Sequence, residues 1–157
     1  MPEHTRFMRE AIAYALKGIH SDEGGPFGAV VVKDGEIIGR GSNKVTTCND
    51  PTAHAEIMAI REACSYLKNF QLTGCTIYSS CEPCPMCLGA IYWARPDRLF
   101  YACSKDDAAA AGFDDAFIYR EIALNHQDRS IPFDSILRDE ALVLFNDWTN
   151  KSDKTPY

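Results

Sequence analysis

The chain has 157 residues, of which 46% are hydrophobic and 24% charged. That length buries roughly 68–70% of the unfolded surface in one domain without disulfide staples. Sixteen Lys and Arg against 22 Asp and Glu leave a formal charge of −6 and a pI near 5.1, with no basic run, which weighs against nucleic acid as a partner. There is no early apolar run of signal-peptide or membrane-spanning length. Seven cysteines, an odd number, point to reduced thiols and a cytoplasmic protein that meets no membrane.

In chain order, Phe7, Ala11, Ile12, Ala15 and Ile19 recur at helical period and predict a first helix. Residues 27–33 read as a strand, Asp34-Gly35 as a tight hairpin turn, and residues 36–45 as the returning strand. The run 24–28 is too interrupted by proline for a phosphate loop. It reads either as a tight loop that delivers Phe27 to a pocket wall or as a plain turn with Phe27 in the core. The cap-rich stretch Asn49-Asp50-Pro51-Thr52 leads into a second helix that carries Ile57, Met58, Ile60 and Ala63 and ends before Gly74.

Residues 75–79 predict a third strand, a helix follows from Cys84, and residues 98–102 predict a fourth strand. The succession of strand, helix and strand implies right-handed crossovers and parallel pairing, with antiparallel pairing at the hairpin end. Further helices are expected over 106–111, 116–123 and 137–148, with Ile131-Pro132-Phe133 between the last two. The whole reads as one continuous α/β domain without repeats or linkers.

Two runs carry chemistry: His54-Ala55-Glu56 and Pro83-Cys84-Pro85-Met86-Cys87. Cys84 and Cys87, three apart at the start of a helix, reach one ion from a single turn. Pro83 and Pro85 favour a helix start here, since proline suits the first helical position, and the positive end of the helix dipole favours the thiolates that zinc requires. His54 is the third ligand. Three protein ligands leave a fourth tetrahedral position for water, the open coordination of a catalytic zinc. Two thiolates already neutralise the ion, so a base is needed nearby. Glu56 serves as that base and acid, taking a proton from the water and returning it to a ring nitrogen and a leaving amine. Cys81, three residues before Cys84, leaves open a closed Cys₃His structural site; a zinc-stabilised binding module without turnover is a separate alternative.

These motifs, with the hairpin and the helix order, resemble the cytidine deaminase superfamily. Within it the whole chain is similar to the small bacterial guanine deaminases. The likeness is densest over 24–27, 49–56, 78–96 and 111–119, and loosest over 121–129 and 139–150. It implies a three-layer α/β/α cytidine-deaminase-like fold with a mixed central sheet and a helical C-terminal segment. It also implies one zinc per subunit and hydrolytic deamination of guanine to xanthine and ammonia.

The tRNA adenosine deaminases share both zinc motifs and are the alternative. The run Ala111-Gly112-Phe113-Asp114-Asp115-Ala116-Phe117-Ile118-Tyr119 resembles the guanine enzymes instead. Guanine presents an N1–H and an exocyclic amine side by side, two donors that one carboxylate accepts together, whereas adenine presents a lone pair at N1. The resemblance makes Asp115 that carboxylate, with a possible part in protonating the amine. It places Asn43 and the backbone N–H of Ala55 on the purine and Phe27 against its face. Asp114 and Trp93 are further candidates; the bland reading of Asp114-Asp115 is an acidic helix N-terminus. The resemblance finally implies a homodimer in which the C-terminal segment, from about residue 106 to 157, is swapped and Tyr157 caps the partner's pocket.

Overall fold

The computed structural model describes residues 2–157. The chain divides into two compact units, one ending at Ala116 and one spanning Phe117–Tyr157.

The first unit is built on four strands: β1 (Gly28–Lys33), β2 (Glu36–Ser42), β3 (Cys75–Cys81) and β4 (Arg98–Cys103), in the order β2-β1-β3-β4. The hairpin turn forms as expected because Asp34 and Gly35 both accept positive φ, 49° and 80°. β1 pairs antiparallel with both β2 and β3, and β3 pairs parallel with β4. The parallel pairing read from the sequence therefore holds for β3 and β4 but not for β2 and β3, between which β1 is inserted. The second strand also stops earlier than expected: Val45 opens a short helix, α2 (Val45–Cys48), which Asn49 ends in the left-handed conformation.

Strand periodicity divides the side chains between two faces. Val30, Val32 and Tyr78 meet Phe7 and Ala11 of α1 (Pro2–His20) on one face. On the other, Ala29, Val31, Cys75 and Ile77 pack with Ala55, Ala59 and Ala63 of α3 (Ala55–Leu67) and with Ile91 and Ala94 of α4 (Pro85–Ala94). The result is three layers. α3 lies directly on β2 because Gly39 and Gly41 have no side chains; a Cβ on Gly41 would collide with the Ala55 carbonyl oxygen. At the outer edge of the sheet, the backbone N–H of Arg40 donates to Glu62 Oε2 of α3 at 3.0 Å.

After β4 comes α5 (Lys105–Ala110), started by a reciprocal cap between Ser104 and Asp107. The second unit contains most of α6 (Ala116–Ala123), a 3-10 turn at His126–Asp128 and α7 (Arg138–Asn150). No residue of these three elements is buried.

Candidate active site and metal centre

Two helix N-termini of the first unit converge on one spot. His54 is the N-cap of α3 and Cys84 the N-cap of α4, where Pro85 follows within the first turn. The cap-rich stretch before His54 does not cap the helix. Its Asp50 accepts from the backbone and hydroxyl of Thr52 at 2.8 and 2.7 Å, building the turn that delivers His54. The Cys84 sulfur accepts from the Cys87 backbone N–H at 3.5 Å, so a candidate ligand doubles as the cap.

His54, Cys84 and Cys87 bring one ligand atom each within 4.8 Å of one another, the one such group among the described residues. His54 Nδ1 lies 3.5 Å from Cys84 Sγ and 3.4 Å from Cys87 Sγ. Ordinary zinc–sulfur and zinc–nitrogen bonds at a tetrahedral angle set sulfur and nitrogen roughly 3.6 Å apart, so these residues fit zinc in spacing as well as in donor type. The Cys87 thiol donating to it and His54 beside it hold Cys84 down to about 4. Cys87 itself is pushed up, by its contact with the Cys84 sulfur and by burial. Bonding to the Cys84 sulfur holds the His54 ring above its ordinary value.

Cys81 lies outside this group. It ends β3, its thiol donates to the Ser104 carbonyl at 3.5 Å, and burial pushes it up to about 11, a poor thiolate. The closed Cys₃His reading therefore finds no support in the geometry.

Glu56, in the first turn of α3, is 6% exposed. Burial pushes its carboxyl above the ordinary value. Its Oε2 accepts from Cys87 Sγ at 3.4 Å and its Oε1 from the hydroxyl of Ser79 at 3.2 Å. Ser79 escaped the reading from sequence; its one signal is the Ser79-Ser80 pair in an otherwise apolar strand. Ser80 accepts the backbone N–H of Gly28 at 3.0 Å and ties β3 to the start of β1.

The remaining predicted residues are placed as follows. Phe27 is half-buried against the core on the α3 side, its ring 4.9 Å from that of Phe113 and edge-on to it at 86°. Asn43, 8% exposed, donates its backbone N–H to the Phe27 carbonyl, and its Oδ1 accepts from the N–H groups of Gly25 and Val45. Ala55 is buried. Asp115 is half-buried, and its carboxyl is raised by burial and by the nearby Cys84 charge. Asp114 takes the bland role: exposed, it accepts from the Ala116 N–H at 2.9 Å at the start of α6. Trp93 is exposed at the far end of α4, about 9 Å along the axis from Cys87. Tyr157 is exposed in the second unit.

A family model for the cytidine and deoxycytidylate deaminase zinc-binding region matches residues 1–103. The chain belongs to this family of zinc-binding deaminases and has its mixed-sheet α/β fold. It is 55% identical over 154 residues to the guanine deaminase of Bacillus subtilis, covering 98% of this chain and 99% of the relative. An X-ray structure of guanine deaminase from that organism matches with a TM-score of 0.96 over 98% of each chain. Within the family, then, the chain belongs with the bacterial guanine deaminases. A tRNA-specific adenosine deaminase of Agrobacterium fabrum is 44% identical over 110 residues, 70% of this chain and 72% of the relative. A guanine deaminase structure from Nitrosomonas europaea, 30% identical, matches with a TM-score of 0.68 over 94% of this chain and 84% of that one.

Proposed function

We propose that the protein hydrolyses free guanine to xanthine and ammonia, using one zinc per chain held by His54, Cys84 and Cys87. The observation that carries the chemistry is the buried Glu56 carboxylate, 3.4 Å from Cys87 Sγ and set among these ligands without being one of them. Guanine is favoured over a tRNA adenosine by the match itself, 55% identity covering 98% of the chain for the Bacillus subtilis guanine deaminase against 44% identity covering 70% for the Agrobacterium fabrum tRNA enzyme.

His54, Cys84 and Cys87 would hold zinc, which would supply the Lewis acidity that activates water near neutral pH. Glu56 takes the proton lost by the nucleophile and hands it to the purine ring nitrogen, then serves the departing amine at C2 in the same way. Its raised carboxyl suits a group that must hold a proton between two transfers. Asp115 accepts from the N1–H and the amine of guanine together. Asn43, its oxygen engaged by two backbone N–H groups, has its amide nitrogen left to donate to the acceptor edge of the purine. The Ala55 N–H, at the start of α3, is a further donor, and Phe27, braced by Phe113, forms the wall on which the ring stacks.

The same reading includes a homodimer whose C-terminal segment crosses to the partner, with Tyr157 covering the guanine pocket. Support comes from the second unit, where Phe117, Ile122, Leu144 and Phe145 are all exposed, an apolar load of the kind a partner subunit covers. Seven unpaired cysteines support a reducing compartment, the cytoplasm. No helix among the described residues is long and apolar enough to cross a membrane.

The test is a panel of free purines, pyrimidines and a tRNA anticodon stem-loop offered to the purified, zinc-loaded protein. Guanine is expected to be consumed fastest, with xanthine and ammonia formed in equal amounts. Faster deamination of the stem-loop adenosine would replace this reading with the tRNA one.

A further inference from the structure

Ser79 stands where the pattern of β3 calls for an apolar side chain. Cys75 and Ile77 on the same face are buried in the core beneath α3 and α4, and Ser79, 2% exposed, continues their row. A hydroxyl withdrawn from water this completely must find a partner. The partner is Glu56, whose Oε1 accepts from Ser79 Oγ at 3.2 Å.

The two oxygens of Glu56 therefore differ. Oε1 is tied to the sheet, while Oε2 lies 3.4 Å from Cys87 Sγ, beside the metal-ligand group. Zinc takes cysteine as thiolate, and a thiolate has no proton to offer Oε2. In the zinc-loaded protein Ser79 is then the side-chain donor that remains to Glu56 among the described residues. The final torsion of a glutamate is broad and roughly two-fold, so an untied carboxylate turns easily in place. Proton transfer tolerates little of that freedom, because a misplacement of an ångström costs orders of magnitude.

We propose that Ser79 is a positioning residue for the deamination, anchoring Oε1 so that Oε2 alone takes the proton and gives it back. The inference rests on the deaminase reading above. Ser79 keeps its own proton throughout: Oε2 gains one from the nucleophile and loses it to the substrate, and Glu56 ends each cycle as it began.

The experiment compares wild type, Ser79→Ala, Ser79→Thr and Glu56→Gln, all zinc-loaded, by guanine turnover, by metal content and by crystal structures of the wild type and Ser79→Ala. Loss of one hydrogen bond to a charged group corresponds to a fall of about tenfold to a hundredfold in kcat for Ser79→Ala. KM and zinc content are expected to stay at wild-type values, and the Glu56 carboxylate to rotate in the crystal. Ser79→Thr, which keeps the hydroxyl, is expected to recover most of kcat. Wild-type kcat in Ser79→Ala, or a lowered kcat with the Glu56 carboxylate unmoved, overturns the proposal. A wild type inactive on guanine, in which Ser79→Ala still rotates the carboxylate, overturns the functional reading alone and supports the tether.

Discussion

The two units of the chain treat their apolar residues in opposite ways. In the first, both faces of the sheet are covered, and Phe7, Val30, Val31, Leu72, Ile77 and Tyr78 are withdrawn from water within a single chain. In the second, α6 and α7 carry Phe117, Ile122, Leu142, Leu144, Phe145 and Trp148, and every one of them is exposed. Burial of apolar surface is the dominant favourable contribution to folding, so the first unit has its own reason to fold and the second has far less of one. The proposed metal ligands and Glu56 all sit in the unit that buries its own apolar residues. The segment proposed to cap the pocket sits in the unit that leaves its apolar residues exposed.

The first way to break this contrast is to strike the chemistry in the self-sufficient unit. Glu56→Ala should lower guanine turnover by a factor on the order of 10²–10⁴ or more while zinc content and melting behaviour stay close to wild type. An active Glu56→Ala chain would remove the basis of the catalytic assignment. Next, Asp115→Ala takes away the proposed acceptor for two guanine donors, and a charged hydrogen bond of this kind corresponds to about tenfold to a hundredfold in kcat/KM. Steady-state kinetics beside zinc analysis checks it, since retained metal separates lost recognition from lost folding.

Gly41→Ala probes the packing that aims the site rather than its chemistry. The added methyl meets the Ala55 backbone, and overpacking of this kind costs about 1–3 kcal/mol. Thermal unfolding should show the loss, and displacement of α3 should lower zinc content as well. A variant as stable and as metal-rich as wild type would show that the close contact of α3 with β2 is dispensable.

The smallest effect, and the sharpest on the contrast itself, is expected from removal of residues 152–157. Zinc and the melting of the first unit should be unchanged while guanine turnover falls. Mixing the shortened chain with Glu56→Ala chains should restore activity, by pairing an intact site with an intact tail. Full activity in the shortened protein, or a monomer at micromolar concentration, would end the lid-and-swap reading.

Much of this arrangement is legible in the sequence, and for a physical reason. Metal ligands demand particular side chains at fixed spacing, so His54, Cys84 and Cys87 announce themselves together with Glu56, and the structure brings all four into one place. The hairpin is equally plain, because Asp34-Gly35 is chosen for its backbone conformation. Less legible is whatever depends on pairing between distant segments. Nothing in β3 itself says that it will lie beside β1 rather than β2, and without that register Ser79 is an ordinary serine. His54 was similarly hidden as an N-cap, since the residues that look like caps before it spend their side chains on a turn.

The hydrogen bond from the Arg40 N–H to Glu62 has a consequence for how the protein behaves in a crowded solution. β2 is one rim of the sheet, and a bare rim offers donors to any extended peptide that drifts alongside, the beginning of strand-by-strand polymerisation. Glu62 occupies one of those donors and sets a negative charge where the carbonyl of an incoming strand would have to dock. One carboxylate on α3 thus makes the β2 flank of the sheet a poorer template for an added strand.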